Sequence, residues 1–257
     1  MSRMSKVFLN LLKPDVFGFF LHTRSVSQWL VAALRKQGLV IIDTARNEAI
    51  FVEYRGCKFR LDPFSCHPIF DVYRDYRFDR IRPDDIVLDI GAQIGAFAIP
   101  AAKIAKRVYA VEPIFHCELL ESIRLNRATK VYPLWYGIRE NDGGCNTIVI
   151  DYWGKRQFCR ALPFPEILED LRWWRLTARH GIDVLKIDCE GCEWHINPQD
   201  LKGIRVIEAE LHTFGLGIKG RRKMKEWISW LEANGYNYEL EHIDSTRSML
   251  HAEKWEG

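Results

Sequence analysis

The stretch Leu185 to His195 reads LKIDCEGCEWH and carries two kinds of chemical equipment at once. Cys189, Cys192 and His195 stand three apart, a spacing that suits metal ligands or a redox pair. Interleaved with them are Asp188, Glu190 and Glu193, carboxylates of the kind that accept protons or hold cations. The next apolar stretch, IRVIEAELH, ends with Glu210 and His212. The two sets compete for the same backbone. Zinc could take Cys189, Cys192, His195 and His212, but no second cysteine pair accompanies them. Redox chemistry needs an easily ionised thiol, and three flanking carboxylates oppose that. The two cysteines are therefore read as packing residues, with zinc and redox roles as the lesser alternatives. Glu193, at the start of a short helix, is read as favouring its N-terminus.

A second set lies upstream, in Val87 to Gly95, VLDIGAQIG. A short apolar strand ends in the acid Asp89. Gly91 allows a tight turn and close approach of a ligand to the backbone, and Gly95 lets the following helix sit near the strand. Glu112 comes 17 residues after Gly95, at the end of the next apolar run, with Pro113 behind it. An acid there can accept hydrogen bonds from ribose hydroxyls. A dinucleotide loop would read G-x-G-x-x-G, whereas this one reads G-x-x-x-G with an acid before it. Asp89 would repel a pyrophosphate and would suit a cationic amino group. A nucleoside bearing an amino acid, S-adenosylmethionine, satisfies both acids.

These residues need elements to hold them. IVLDI, RVYAVEP and KVYPLWYGI read as strands, with helices in IGAFAIPAAKIAK and HCELLESIRLNRA between them; Pro100 should kink the first or cut it short. This alternation means parallel βαβ units. Residues 147–161 read as a hairpin turning at Gly154-Lys155, followed by a helix at about 165–179. IDVLKID and IRVIEAELH are further strands, KGRRKMKEWISWLEANG is a helix ended by Gly235, and two alternating strands joined at Asp244-Ser245 close the chain. A terminal hairpin on a parallel sheet points to one reversed strand near the edge. Before residue 83, residues 5–38 read as helical pieces, LVIIDTARNEAIFVEYRGCKFRLDP as two or three antiparallel strands, and HPIFDVYRDYRF as a helix. The expected division is an N-terminal cap, 1–82, for substrate or oligomer contacts, and a catalytic unit, 83–257.

Composition sets outer limits. The 257 residues are 47% hydrophobic with nine tryptophans, which rules out a disordered chain. The net charge of +3 is too small to argue for nucleic acid, so no nucleic-acid partner is expected. Residues 1–82 hold 14 Lys and Arg against 8 Asp and Glu, read as a solvated face. The apolar run VFLNLLKPDVFGFFLH is interrupted by Lys13, Pro14 and Asp15, so neither a signal peptide nor a spanning helix is expected. Seven irregularly spaced cysteines do not form a disulfide framework, and a reducing, cytoplasmic setting follows from that.

VLDIGAQIG, VYAVEP, DVLKIDCEGCE and VIEAELH, in this order, resemble the FkbM-type S-adenosylmethionine-dependent methyltransferases over roughly residues 70–240. The match is most specific at Lys186 to Glu193, where that family shows K-I-D-x-E-G-x-E. The resemblance implies a Rossmann-like class I methyltransferase fold: a mostly parallel seven-stranded sheet with a reversed terminal strand. It implies that Asp89, Gly91 and Gly95 form the donor loop, that Glu112 with Pro113 serves the ribose, and that Gly137 lies near the adenine. Gln93 departs from the family's Asn, and Gly137 from its Ala. The implied activity is O-methylation of a hydroxyl on a sugar, a glycan or glycolipid, or a secondary metabolite. Asp188 would be the base, with Glu190 beside it and His212 as the alternative base. A divalent cation on Asp188 and Glu190, aided by Glu210 or His212, is possible in principle but not favoured. A regulatory or scaffold protein on the same fold and an NAD-dependent oxidoreductase are the competing readings.

Overall fold

The computed structural model describes residues 40–45, 49–61, 67–140, 146–150, 156–173, 181–213 and 217–254. The expected helices in 5–38, the hairpin turn at 154–155 and the end of the helix expected to reach residue 179 lie outside these residues.

A seven-stranded sheet forms the centre. It contains β4 (Ile86–Ile90), β5 (Arg107–Val111), β6 (Val131–Leu134), β10 (Val184–Ile187), β11 (Val206–His212), β12 (Tyr236–His242) and β13 (Arg247–Lys254). Their order is β12-β13-β11-β10-β4-β5-β6, and β13 runs antiparallel to both of its neighbours. This is the expected mostly parallel sheet with its reversed terminal strand. Each strand alternates between the two faces. Val87, Ala110, Val184, Val206 and Met249 join one buried cluster, and Leu88, Tyr109, Leu185, Ile207 and Leu250 join the other. Burial on both faces explains why β4 and β10 read as unbroken apolar runs.

The helices follow the expected rhythm: α1 (His67–Asp75), α2 (Ala98–Ile104), α3 (His116–Asn126), α4 (Phe164–Trp173) and α5 (Gly217–Ala233). Pro100 falls in the first turn of α2, so the preceding residues form turns and the helix is only seven residues long. Proline is tolerated there because the first-turn N–H has no partner within the helix.

Two small sheets flank the centre. β1 (Val40–Ala45), β2 (Ala49–Tyr54) and β3 (Cys57–Leu61) form an antiparallel sheet. β3 is tied to α3 through Asn126 Oδ1, which accepts from Lys58 N, and Ser122 Oγ, which accepts from Arg60 N. Its Phe59 and Leu61 share a core with Val87 and Ile99. The other small sheet, β7 (Gly137–Ile138), β9 (Arg156–Leu162) and β8 (Asn146–Ile150), corrects one expectation. KVYPLWYGI is not one strand. The chain leaves the central sheet after Leu134, and Gly137 pairs with Ala161 of β9 instead.

Candidate functional site

β4 and β10 are neighbours in parallel register, with Ile90 beside Ile187. The turns that leave their carboxyl ends therefore touch: Asp188 N donates to Ile90 O at 3.0 Å. Gly91 has φ +74°, and a Cβ built on it would stand 1.7 Å from the Asp188 carbonyl oxygen. Glycine is required there because the two chain segments leave no room for a side chain. Gly95, at φ +89°, sits against Ile99 and Leu119, where a Cβ would be 3.0 Å from each side chain. Backbone bonds from Gly91 N and Ala92 N to Val111 O link the loop to β5.

Asp89 is fully buried, and Lys186 Nζ from β10 stands 3.1 Å from its Oδ1. The same ammonium donates to Gly91 O at 2.9 Å and lies 3.9 Å from Asp188 Oδ2. The Tyr76 ring covers it at 5.4 Å. Burial opposes the charge on Lys186, but Asp89 and Asp188 outweigh it and hold the amine protonated above its ordinary range. The cation expected opposite Asp89 is thus supplied by the chain itself, through a lysine that apolar patterning gave no reason to single out. The pair belongs to a polar row across the sheet, in which Lys186 pairs with Glu208, Glu208 with His251 and His251 with Glu239. Within it, Glu208 Oε2 is 2.6 Å from His251 Nδ1.

Glu112 is buried at the end of β5. Its Oε2 accepts from Gln93 N at 2.8 Å, and its Oε1 accepts from Ile114 N at 2.6 Å and Phe115 N at 2.9 Å. Burial still lifts its pKa above the ordinary carboxylate range, against those three bonds. A carboxylate has about four acceptor positions, so about one is left for a ligand. Gln93, at φ +49°, carries a buried Oε1 with no hydrogen-bond partner. An orphaned acceptor beside a nearly saturated carboxylate fits a ligand that brings hydroxyl or ammonium donors, as S-adenosylmethionine does. Pro113 O accepts from Trp135 Nε1 at 2.9 Å, and the Trp135 ring stacks on His116. Gly137, displaced with β7, is buried on the adjoining sheet.

On the other side of Gly91, Asp188, Glu190 and His212 converge, with one ligand atom from each lying within 4.8 Å of the others. Among the described residues this is the group that could hold a divalent cation. His212 is buried at the end of β11. Trp194 Nε1 donates to its carbonyl oxygen, and its backbone N donates to Glu193 Oε1 at 2.6 Å. That carboxylate also meets His212 Nδ1 at 3.2 Å, while Nε2 lies 3.4 Å from Glu190 and 3.9 Å from Glu210. Burial would lower the imidazole pKa, but the Glu193 hydrogen bond and the charges of Glu193, Asp188 and Glu190 push it up to about 9. An imidazole in these surroundings keeps its proton to a higher pH than an ordinary histidine does. Glu210 moves the opposite way in function: burial and the Asp188 charge raise its carboxyl to about 7.

Glu193 does more than favour a helix end. It is fully buried and also accepts from Gly191 N at 2.9 Å, which fixes the turn as well as the imidazole. Cys189 and Cys192 pack against the core cluster of one sheet face, as expected, and are joined to each other in a disulfide, which their spacing did not specify. His195 points elsewhere, 3.4 Å from Glu140.

Among the described residues no helix is long and apolar enough to cross a membrane. The methyltransferase FkbM domain matches residues 89–238, well over half of the chain. No curated protein matches the sequence. Among solved structures, a putative S-adenosylmethionine-dependent methyltransferase from Streptococcus mutans is similar with a TM-score of 0.50 and 11% identity, covering 80% of this chain and 55% of that one. Trm5b from Pyrococcus abyssi gives 0.47 and 15%, covering 81% and 56%. TYW2 from M. jannaschii, solved with AdoMet, gives 0.49 and 20%, covering 81% and 87%. The chain thus spans little more than half the length of the first two. With the domain matched from Asp89 through α5, the chain belongs to the FkbM methyltransferase family.

Proposed function

We propose that the protein transfers the methyl group to a hydroxyl oxygen of a small molecule or glycan, with Asp188 as the base. One observation carries this: Asp188 lies between the Gly91 turn and the Glu190–Glu210–His212 group. When bound, the donor supplies an electrophilic methyl carbon on a sulfonium. In this reading Gly91, Gly95, Glu112, Pro113 and the Gln93 amide hold that donor, while buried Asp89 acts from beneath the turn through Lys186, which also binds the Gly91 carbonyl. Gly137 borders the same end of the sheet.

A hydroxyl ionises poorly at neutral pH and needs a proton acceptor at the moment of transfer. Asp188 accepts that proton, and Glu210, with its pKa about 7, can pass it on. Protonated His212 offsets the charge that Asp188, Glu190 and Glu210 would otherwise concentrate. Four carboxylates around one imidazolium and Arg247 favour a neutral hydroxylated acceptor and disfavour a polyanion such as RNA. A divalent cation on Asp188, Glu190 and His212 is the second reading, supported by the convergence of their ligand atoms. It would take the place of the His212 proton and lower the pKa of the acceptor hydroxyl.

The test incubates the protein with methyl-labelled donor and separate panels of hydroxylated glycans, small polyols and RNA transcripts, with and without a chelator. Label in an alkali-stable methyl ether, lost in Asp188→Asn while donor binding persists, is the expected result. Label in RNA bases, or full turnover by Asp188→Asn, contradicts it. Loss of turnover with chelator selects the metal-assisted form.

A further inference from the structure

The disulfide lies inside the acidic group. Cys189 directly follows Asp188, and the ring closed by Cys189 and Cys192 contains only Glu190 and Gly191 between its ends. Both ring residues have left-handed backbones, Glu190 at φ +55° and Gly191 at φ +109°. Gly191 accepts that geometry freely, whereas a residue with a Cβ there is strained by about 1–3 kcal/mol. A covalent ring is one way to hold Glu190 in it. Held so, the Glu190 carboxylate reaches His212 Nε2 at 3.4 Å. Just past the ring, buried Glu193 binds Gly191 N and both the backbone and imidazole nitrogens of His212. Both cysteines are half-buried, so a small thiol can reach them. The three free cysteines among the described residues lie elsewhere: Cys57 and Cys159 are buried, and Cys117 is exposed.

We propose that Cys189–Cys192 is a reversible thiol–disulfide exchange site for a dithiol reductant, and that its oxidised form seats Glu190 on His212. This rests on the acceptor-side reading above only for its consequence, since the exchange itself does not depend on what is methylated. The chemistry balances without another reactant. A thiolate of the dithiol attacks Cys189 Sγ and expels Cys192 as the leaving thiolate, which takes up a proton. The second thiol of the dithiol then attacks its own sulfur in the mixed disulfide and releases Cys189, which takes up the other proton. The protein gains two thiols, and the reductant leaves as its disulfide. Cys192 is the better leaving group because a Cys189 thiolate would form 3.6 Å from Glu193 Oε2.

Reduction opens the ring and removes the constraint on Glu190. The donor loop is contacted by the Asp188 carbonyl, ahead of the ring, so the donor side should not feel the change.

The test treats the whole protein with graded dithiothreitol against oxidised glutathione, traps free thiols with a maleimide and locates the label by peptide mass. Cys117 labels throughout and serves as the control. The expected result is no label on Cys189 or Cys192 in the oxidised protein, two labels after reduction, and loss of both after reoxidation. Amide exchange at Glu190 and Gly191 should rise at least about tenfold on reduction, as local opening becomes cheaper. The Cys189→Ser/Cys192→Ser double variant should match the reduced form and ignore dithiothreitol. Free thiols at Cys189 and Cys192 that persist in oxidised glutathione, or equal amide exchange in both forms, overturn the proposal. Donor affinity measured in parallel separates the two readings: its absence in both redox states counts against the methyltransferase site, and its presence leaves the exchange result to stand or fall alone.

Discussion

Lys186 Nζ stands 3.1 Å from Asp89 Oδ1, and both side chains are withdrawn from water. An acid near the carboxyl end of β4 and a lysine of the neighbouring strand thus neutralise one another inside the sheet. Removing one partner leaves an uncompensated buried charge, a loss of about 3–5 kcal/mol. Lys186→Met should therefore lower the urea midpoint sharply, and Lys186→Met combined with Asp89→Asn should recover part of the loss. Equal stability of Lys186→Met and parent would show that the pair is not held as described. Because the folded-state pKa of Lys186 is raised, its contribution is fully present below the ordinary lysine range and is lost as pH climbs through the raised value.

Gly91→Ala meets the Asp188 carbonyl oxygen at 1.7 Å and adopts a positive φ as well. The backbone conformation alone costs about 1–3 kcal/mol, and the clash must move β4 and β10 apart at their carboxyl ends. The variant should melt at lower temperature and lose donor binding. Gly203→Ala, also at positive φ but with open space around it, should pay only the conformational cost. Similar losses in the two variants would argue against close contact between the two turns.

The His212 pKa of about 9 makes a pH prediction with a definite sign. A raised histidine pKa contributes stability below its unfolded value near 6.5, and that contribution is lost as pH rises through about 9. The shift is worth about 3 kcal/mol. Urea unfolding followed from pH 6 to 10 should show stability falling across that window in the parent. In His212→Gln the slope attributable to this group should vanish. A parent whose stability rises between pH 7 and 9 would contradict the charged imidazole.

Much of this fold is legible in the sequence because its strands are buried on both faces and its helices lie between them. That arrangement leaves apolar runs such as IVLDI and DVLKID, with their acids at the ends. Asp89, Glu112 and Asp188 could be placed at carboxyl ends by that pattern alone. Lys186 could not, since one lysine in an apolar strand looks the same whether it reaches water or a buried acid. Glu193 shows the same limit: its spacing suggests a helix end, and only the fold brings β11 and the His212 imidazole against it. The departure of Gly137 from the central sheet depends on β9, a partner more than 20 residues away. Whether two cysteines three apart pack, ligate or bond to each other depends on the direction of their Cβ atoms, which spacing does not fix.

A donor site built around Asp89, Gly91, Gln93 and Glu112 is read most directly by calorimetry. The parent should bind S-adenosylmethionine and its demethylated product at least about tenfold more tightly than NADH. Glu112→Gln should weaken S-adenosylmethionine binding by about tenfold or more while still melting cooperatively, since a hydrogen bond to a charged group contributes about 1.5–3 kcal/mol. Tighter binding of NADH than of the methyl donor, or parent-like donor affinity in both Glu112→Gln and Asp89→Asn, would contradict the account.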